Sequence, residues 1–163
     1  MDLSFDIKNT EGDQIMVALS YYDAETIRMF STDPKTLTLI FYDVTLVRKK
    51  GDGYVGHKML YAISDTLAKF LNENEDAVLC FYCDSGTDIK RSHSNLLPQE
   101  YRSALFSRMF EWYTKSHSIS GFINHRVKIE DRERAENTQF AHFICRECHQ
   151  DAVNAIGHLL MEK

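Results

Sequence analysis

Chain breakers are scarce in this sequence: two prolines and seven glycines stand among 163 residues. That excludes a collagen-like or Pro/Gly-rich low-complexity chain and leaves room for regular elements. No stretch approaches the ~18 consecutive apolar residues of a membrane-spanning helix, so no membrane contact is expected. Positive charge is not in excess either. Nineteen basic residues face 24 acidic ones, for a formal net charge of −5, and a nucleic-acid backbone calls for a basic face instead. The first residues, Met1-Asp2-Leu3-Ser4-Phe5-Asp6, carry neither the basic nor the apolar region of a secretory leader. A cytoplasmic protein is the expectation. The four cysteines then read as reduced thiols rather than a disulfide framework.

What is present suffices for one α/β domain over residues 1–163. Hydrophobic residues make up 44% and charged residues 26%, which supports a packed core and opposes disorder. Leu3, Phe5 and Ile7 alternate with polar neighbours, and Ile15, Val17, Leu19 and Tyr21 repeat the pattern beyond a turn holding Gly12. This predicts an antiparallel hairpin. Residues 23–30 admit a short helix opened by Asp23 or a third strand through Thr26–Phe30; the strand is favoured because no helical face completes itself. Asp33-Pro34 predicts a turn. A long strand is expected from Thr36 to Arg48, with a change of phase at Asp43 that either a bulge or two apolar faces would reconcile.

A helix is expected from about His57 to Leu71, with Leu60, Ile63, Leu67, Phe70 and Leu71 as its stripe. The run Ala77-Val78-Leu79-Cys80-Phe81-Tyr82-Cys83 is apolar on both faces and stops at Asp84. It predicts a central strand covered on both sides. Pro98 suits the first turn of a second helix reaching about Lys115, with Tyr101, Leu105, Met109 and Trp112 on one stripe, widened by Phe106, Phe110 and Tyr113. A hairpin follows, with Ile123, His125, Val127 and Ile129 on one face of its first strand. A last helix starts near Asp151. The expected architecture is a single mixed, largely antiparallel sheet of three or four amino-terminal strands, two crossover helices, a closing hairpin and a C-terminal helix.

Candidate chemistry gathers in two places. The first is the polar loop after the central strand. Asp84 stands where open α/β sheets collect ligands, and Asp88, Arg91 and His93 share its loop. Asp84, His93 or Tyr113 could act as a base only if geometry brought one to a substrate. The cysteines offer less. Cys145-Arg-Glu-Cys148-His149 spells a haem-attachment string, which the absence of an export leader opposes. Cys80 and Cys83 point to opposite faces of a strand, which opposes zinc. No metal site and no cofactor are expected from the residues themselves.

The second place is Arg48-Lys49-Lys50-Gly51-Asp52-Gly53, followed by Gly56. This string resembles the pyrophosphate turn of the GCN5-related N-acetyltransferases, and the downstream order of helix, strand, helix and two strands is also similar. The resemblance implies an acetyltransferase-like fold. It also implies an anion site in which Arg48 and the backbone at Gly51, Gly53 and Gly56 hold the phosphates of acyl-CoA at a helix amino terminus.

A second resemblance covers most of the chain. The turn Asp52–Gly56, the apolar strand ending in Cys83-Asp84, and a helix carrying Arg102, Phe106 and Trp112-Tyr113 are similar to the DUF6169 family of small uncharacterised Bacteroidetes proteins. This chain carries extra residues, about 89–99, between that acid and the helix. The likeness implies a fold rather than an activity, and it adds Arg102 to the candidate ligand or partner contacts. The functional expectation is a cytosolic binding or regulatory protein that meets a basic protein partner through residues 84–97. The alternative is a CoA-dependent N-acyltransferase or a degenerate relative. A homodimer through the aromatic face of the second helix is a further expectation.

Overall fold

A computed structural model describes residues 2–51, 55–83 and 95–161. The chain forms strands β1 (Leu3–Lys8) and β2 (Gln14–Tyr21), helices α1 (Ala24–Phe30) and α2 (Pro34–Leu37), strand β3 (Ile40–Lys50), helix α3 (His57–Glu73), strand β4 (Ala77–Cys83), helix α4 (Pro98–Ser116), strands β5 (Phe122–Ile129) and β6 (Gln139–Arg146), and helix α5 (Gln150–Met161). Single 3-10 turns occupy Ala135–Asn137 and Glu147–His149. The strands make one six-stranded sheet in the order β1-β2-β3-β4-β6-β5. β3 and β4 run parallel, and the other neighbouring pairs run antiparallel.

The topology places the helices. α3 carries the chain from β3 to its parallel neighbour β4, and α4 carries it on past β6 to β5. Two crossovers stepping in one direction put both helices on one face when each is right-handed, and α3 and α4 do pack together. Beneath them lie Val17, Leu19, Val44, Ile63, Phe70, Leu79 and Phe81. The opposite face buries Ile27, Leu39, Phe41, Val78, Cys80, Phe143 and Val153 beneath α1, α2 and α5. β4 supplies both cores by alternation, which is why its sequence shows no polar face. Each large side chain so buried contributes roughly 1.5–3 kcal/mol of transfer free energy.

Several expectations are corrected. Residues 24–30 are helical, not a strand. Asp23 caps this helix by accepting the Thr26 N–H at 2.7 Å, and its single buried residue, Ile27, suffices to dock so short an element. Asp33-Pro34 is the cap and first position of α2 rather than a bare turn. β3 therefore starts at Ile40 rather than Thr36, and the amino-terminal strands number three. No bulge sits at Asp43. Phe41 enters one core and Val44 the other, so both faces of β3 are apolar; the register shift lies at Gln14/Ile15. On α4 the expected face is borne out only in part: Tyr113 is buried, but so are Gln99, Arg102 and Ser103, whereas Trp112 is 52% exposed. Buried polar side chains need partners, and Gln99 and Ser103 find theirs at Glu136 and His142.

Candidate functional site

β3 and β4 pair over four residues only: Ile40 with Ala77, Phe41 with Val78, Tyr42 with Leu79 and Asp43 with Cys80. Beyond that point they part. Val44 to Arg48 and Lys50 stay paired to β2, and Phe81 to Cys83 stay paired to β6. Among the described residues, no ladder joins the two inner edges. Each edge presents backbone N–H and C=O groups in extended geometry, and such groups seek hydrogen-bond partners. An extended ligand carrying amide groups can supply them in the manner of an added strand.

The glycine turn lies at the far end of β3. Arg48 is half-buried opposite Ile15. Gly51 adopts φ +93°, and a Cβ there would collide with the Asp13 carboxylate, so the position tolerates only glycine. Asn9 holds that carboxylate: its Nδ2 donates to Asp13 at 3.0 Å, and its Oδ1 accepts the Asp13 N–H at 2.8 Å. The β1–β2 turn is thereby locked against the end of β3. Gly56 is the N-cap of α3 and offers no side-chain cap, so first-turn N–H groups are left to other acceptors. Gly53 lies outside the described residues, together with Asp52 and Tyr54.

Asp43 stands where the strands part, on the face opposite α3 and α4. Cys80 is its cross-strand neighbour, Tyr82 follows on the same face of β4, and Tyr22 packs nearby. The Thr45 hydroxyl donates to the Asp43 carboxylate at 3.2 Å. Partial burial nonetheless raises the Asp43 pKa from its ordinary value. Burial also raises Tyr22 and Tyr82, which share a hydrogen bond, and pushes the Cys80 thiol well up. The result is a carboxyl shifted toward the pH at which a base works, flanked by two protonated phenols.

A second polar set lies under the amino-terminal end of α4. Arg126 Nε donates to Ser103 Oγ at 2.7 Å. Ser103 Oγ lies 2.8 Å from His142 Nε2, and His142 Nδ1 lies 3.0 Å from Asn124 Oδ1. Since an amide oxygen only accepts, Nδ1 carries the proton and Nε2 accepts from the serine hydroxyl. Burial, aided by the Arg126 charge, lowers the His142 pKa to about 4, so the ring is neutral. The order serine–histidine–asparagine suggests nucleophilic catalysis, but Ser103 is fully buried and its oxygen already accepts from Arg126. The set is a clamp that fixes α4 to β5 and β6.

Of the residues expected at the site, Arg48, Gly51 and Gly56 lie along the turn between β3 and α3, and Arg102 is buried beneath α4. Asp84, Asp88, Arg91 and His93 lie outside the described residues. Tyr113 lies among the α3–α4 residues, on the other face of the sheet from Asp43. It donates to Asp65 at 2.9 Å, and burial together with that bond raises its pKa to about 12. Asp43, Tyr22 and Tyr82 were not anticipated as a group. The one trace of them in the sequence is an acid set between apolar Phe41-Tyr42 and Val44. Comparison with protein-family models and with curated proteins finds no match to this chain.

Proposed function

We propose that this protein binds a coenzyme A thioester in the parting between β3 and β4 and transfers its acyl group to an amine. The observation that carries the reading is the end of β3–β4 pairing at Asp43 and Cys80, with both strands continuing beyond it. The two amides of a pantetheine arm match the hydrogen-bonding demand of those edges. The phosphates would lie toward Arg48, Gly51 and the uncapped start of α3. The resemblance of the Arg48–Gly53 string to the N-acetyltransferase turn supports the same orientation.

Asp43 then has a role. The amine nitrogen attacks the thioester carbonyl, the C–S bond breaks, and the thiolate leaves. The proton lost by the nitrogen passes to the Asp43 carboxylate, whose raised pKa suits it for the task. Tyr22 and Tyr82 keep their protons and line the acceptor side. The expectation of a binding protein acting through residues 84–97 rests on positions mostly outside the described ones, whereas this reading has a location within them.

Calorimetric titration with acetyl-CoA tests the binding step. Heat of binding with one ligand per chain is expected, and none at millimolar ligand removes the proposal. Release of thiol in the presence of small primary amines tests the transfer step. Asp43→Asn is expected to lower that rate by about 10²–10⁴-fold while leaving acetyl-CoA affinity within a few-fold. An unchanged rate would refute the role of Asp43 alone.

A further inference from the structure

α4 is held firmly at its ends and loosely between them. At the amino-terminal end, Ser103 meets His142 and Gln99 Nε2 donates to the Glu136 carbonyl at 2.6 Å. Towards the other end, Tyr113 donates to Asp65 and the Ile119 N–H bonds the Thr114 carbonyl at 2.9 Å. In the middle, Leu105, Phe106, Met109 and Phe110 are only half-buried. A partly open cavity of about 70 Å³ lies below them, walled chiefly by Leu67, Leu79, Phe81, Phe106, Phe110 and Ile144.

The wall has little to offer water. Ser64, Thr114 and Tyr113 reach the cavity, but their hydroxyls donate to the Leu60 carbonyl at 3.0 Å, the Phe110 carbonyl at 2.8 Å and the Asp65 carboxylate at 2.9 Å, and the remaining polar residue of the lining, Asn72, is exposed. A water needs two to four polar partners to be held. Collapse is resisted as well, because hydrogen bonds pin the helix on both sides of the void, and partial relaxation is what leaves such spaces open. A dry apolar space of this kind takes up small apolar molecules; an engineered void of about 150 Å³ binds benzene or xenon.

We propose that the cavity under α4 is a binding site for a small uncharged apolar molecule, a single aromatic ring or a short alkyl group. The site is independent of the thioester reading: it lies on the α3–α4 face, whereas Asp43 opens to the opposite one. Its volume is about half that of the engineered void, so a ring would seat with one edge toward the mouth. A charged relative of the same shape is excluded by the cost of desolvating it.

Thermal unfolding of the full chain with benzene or toluene tests this. At about ten times Kd, a rise in Tm of about 3–6 °C is expected for a chain of this size, and benzoate is expected to give none. Ala68→Leu places a larger side chain on the cavity wall and is expected to abolish the rise. Phe110→Ala enlarges the space and is expected to increase the rise with toluene. Two variants guard against one failing to fold. No rise in the unaltered chain, an equal rise with benzoate, an equal rise in Ala68→Leu, or no increase in Phe110→Ala would each overturn the proposal.

Discussion

Asp43 and His142 illustrate how one side chain acquires its properties from what surrounds it. His142 is neutral because it is buried against the Arg126 charge. Its pKa in the folded chain, about 4, lies below the 6.5 of an unfolded histidine. The unfolded state therefore binds the proton first as pH falls, and stability declines from about pH 6.5 until about pH 4. The slope is about 1.4 kcal/mol per pH unit, or about 3 kcal/mol over the whole window. Denaturant midpoints between pH 7 and about 5, above the range of most carboxylates, should show this decline. His142→Gln should remove it; the same slope in that variant would mean that another group is responsible. Asp43 works in the opposite sense. Its raised pKa means that the folded state holds the proton longer, so its contribution to stability is lost as pH rises above the ordinary carboxylate value of 3.8. Asp43→Asn should be more stable than the parent at neutral pH, a readout separate from any loss of activity. A less stable variant would mean that the carboxylate supports the fold rather than straining it.

At the level of elements, polar residues decided what apolar periodicity could not. Thr26 and Ile27 favour a strand by their branching, yet Asp23 caps a helix there. The expected face of α4 was borne out only in part because the helix meets β5 and β6 through hydrogen bonds. Gln99 and Ser103 find their partners on distant segments, and no local window contains those partners. α5 docks by close approach instead. A Cβ at Gly157 would come within 2.9 Å of both His125 Nε2 and Val127 Cγ2. Alanine is the better helix former by ~1 kcal/mol, but overpacking of this kind costs roughly 1–3 kcal/mol. Gly157→Ala should therefore lower stability in urea unfolding. A gain would mean that α5 sits less tightly on β5 than the geometry indicates.

The whole molecule is ordered around β4. Three of the four cysteines, Cys80, Cys83 and Cys145, are buried on β4 and its neighbour β6, and Cys148 is exposed. Burial raises Cys145 to about 12 and pushes Cys80 well up, and a thiol reacts as its thiolate. Native protein should show one rapidly titrating thiol per chain with an aromatic disulfide reagent. The other three should react only as the sheet opens. Two or more fast thiols would move β4 out of the interior and remove the basis of the candidate site. The order of elements after β3 and the apolar character of β4 were both legible in the sequence, because alternation and helical stripes are local patterns. The site was legible only in part. The Arg48–Gly53 string marked one end of the parting, but Asp43 shares no motif with Tyr22 and Tyr82.

The amino-acid sequence by itself determined a mixed sheet with two crossover helices, a buried fifth-to-last element in β4 and a C-terminal helix, since each rests on side-chain period and short-range capping. Tertiary structure alone decided where β3 and β4 cease to pair, which polar side chains pin α4, and where a void remains beneath it. Those features arise from segments far apart in the chain meeting at particular distances. No periodicity within a single segment encodes such a meeting.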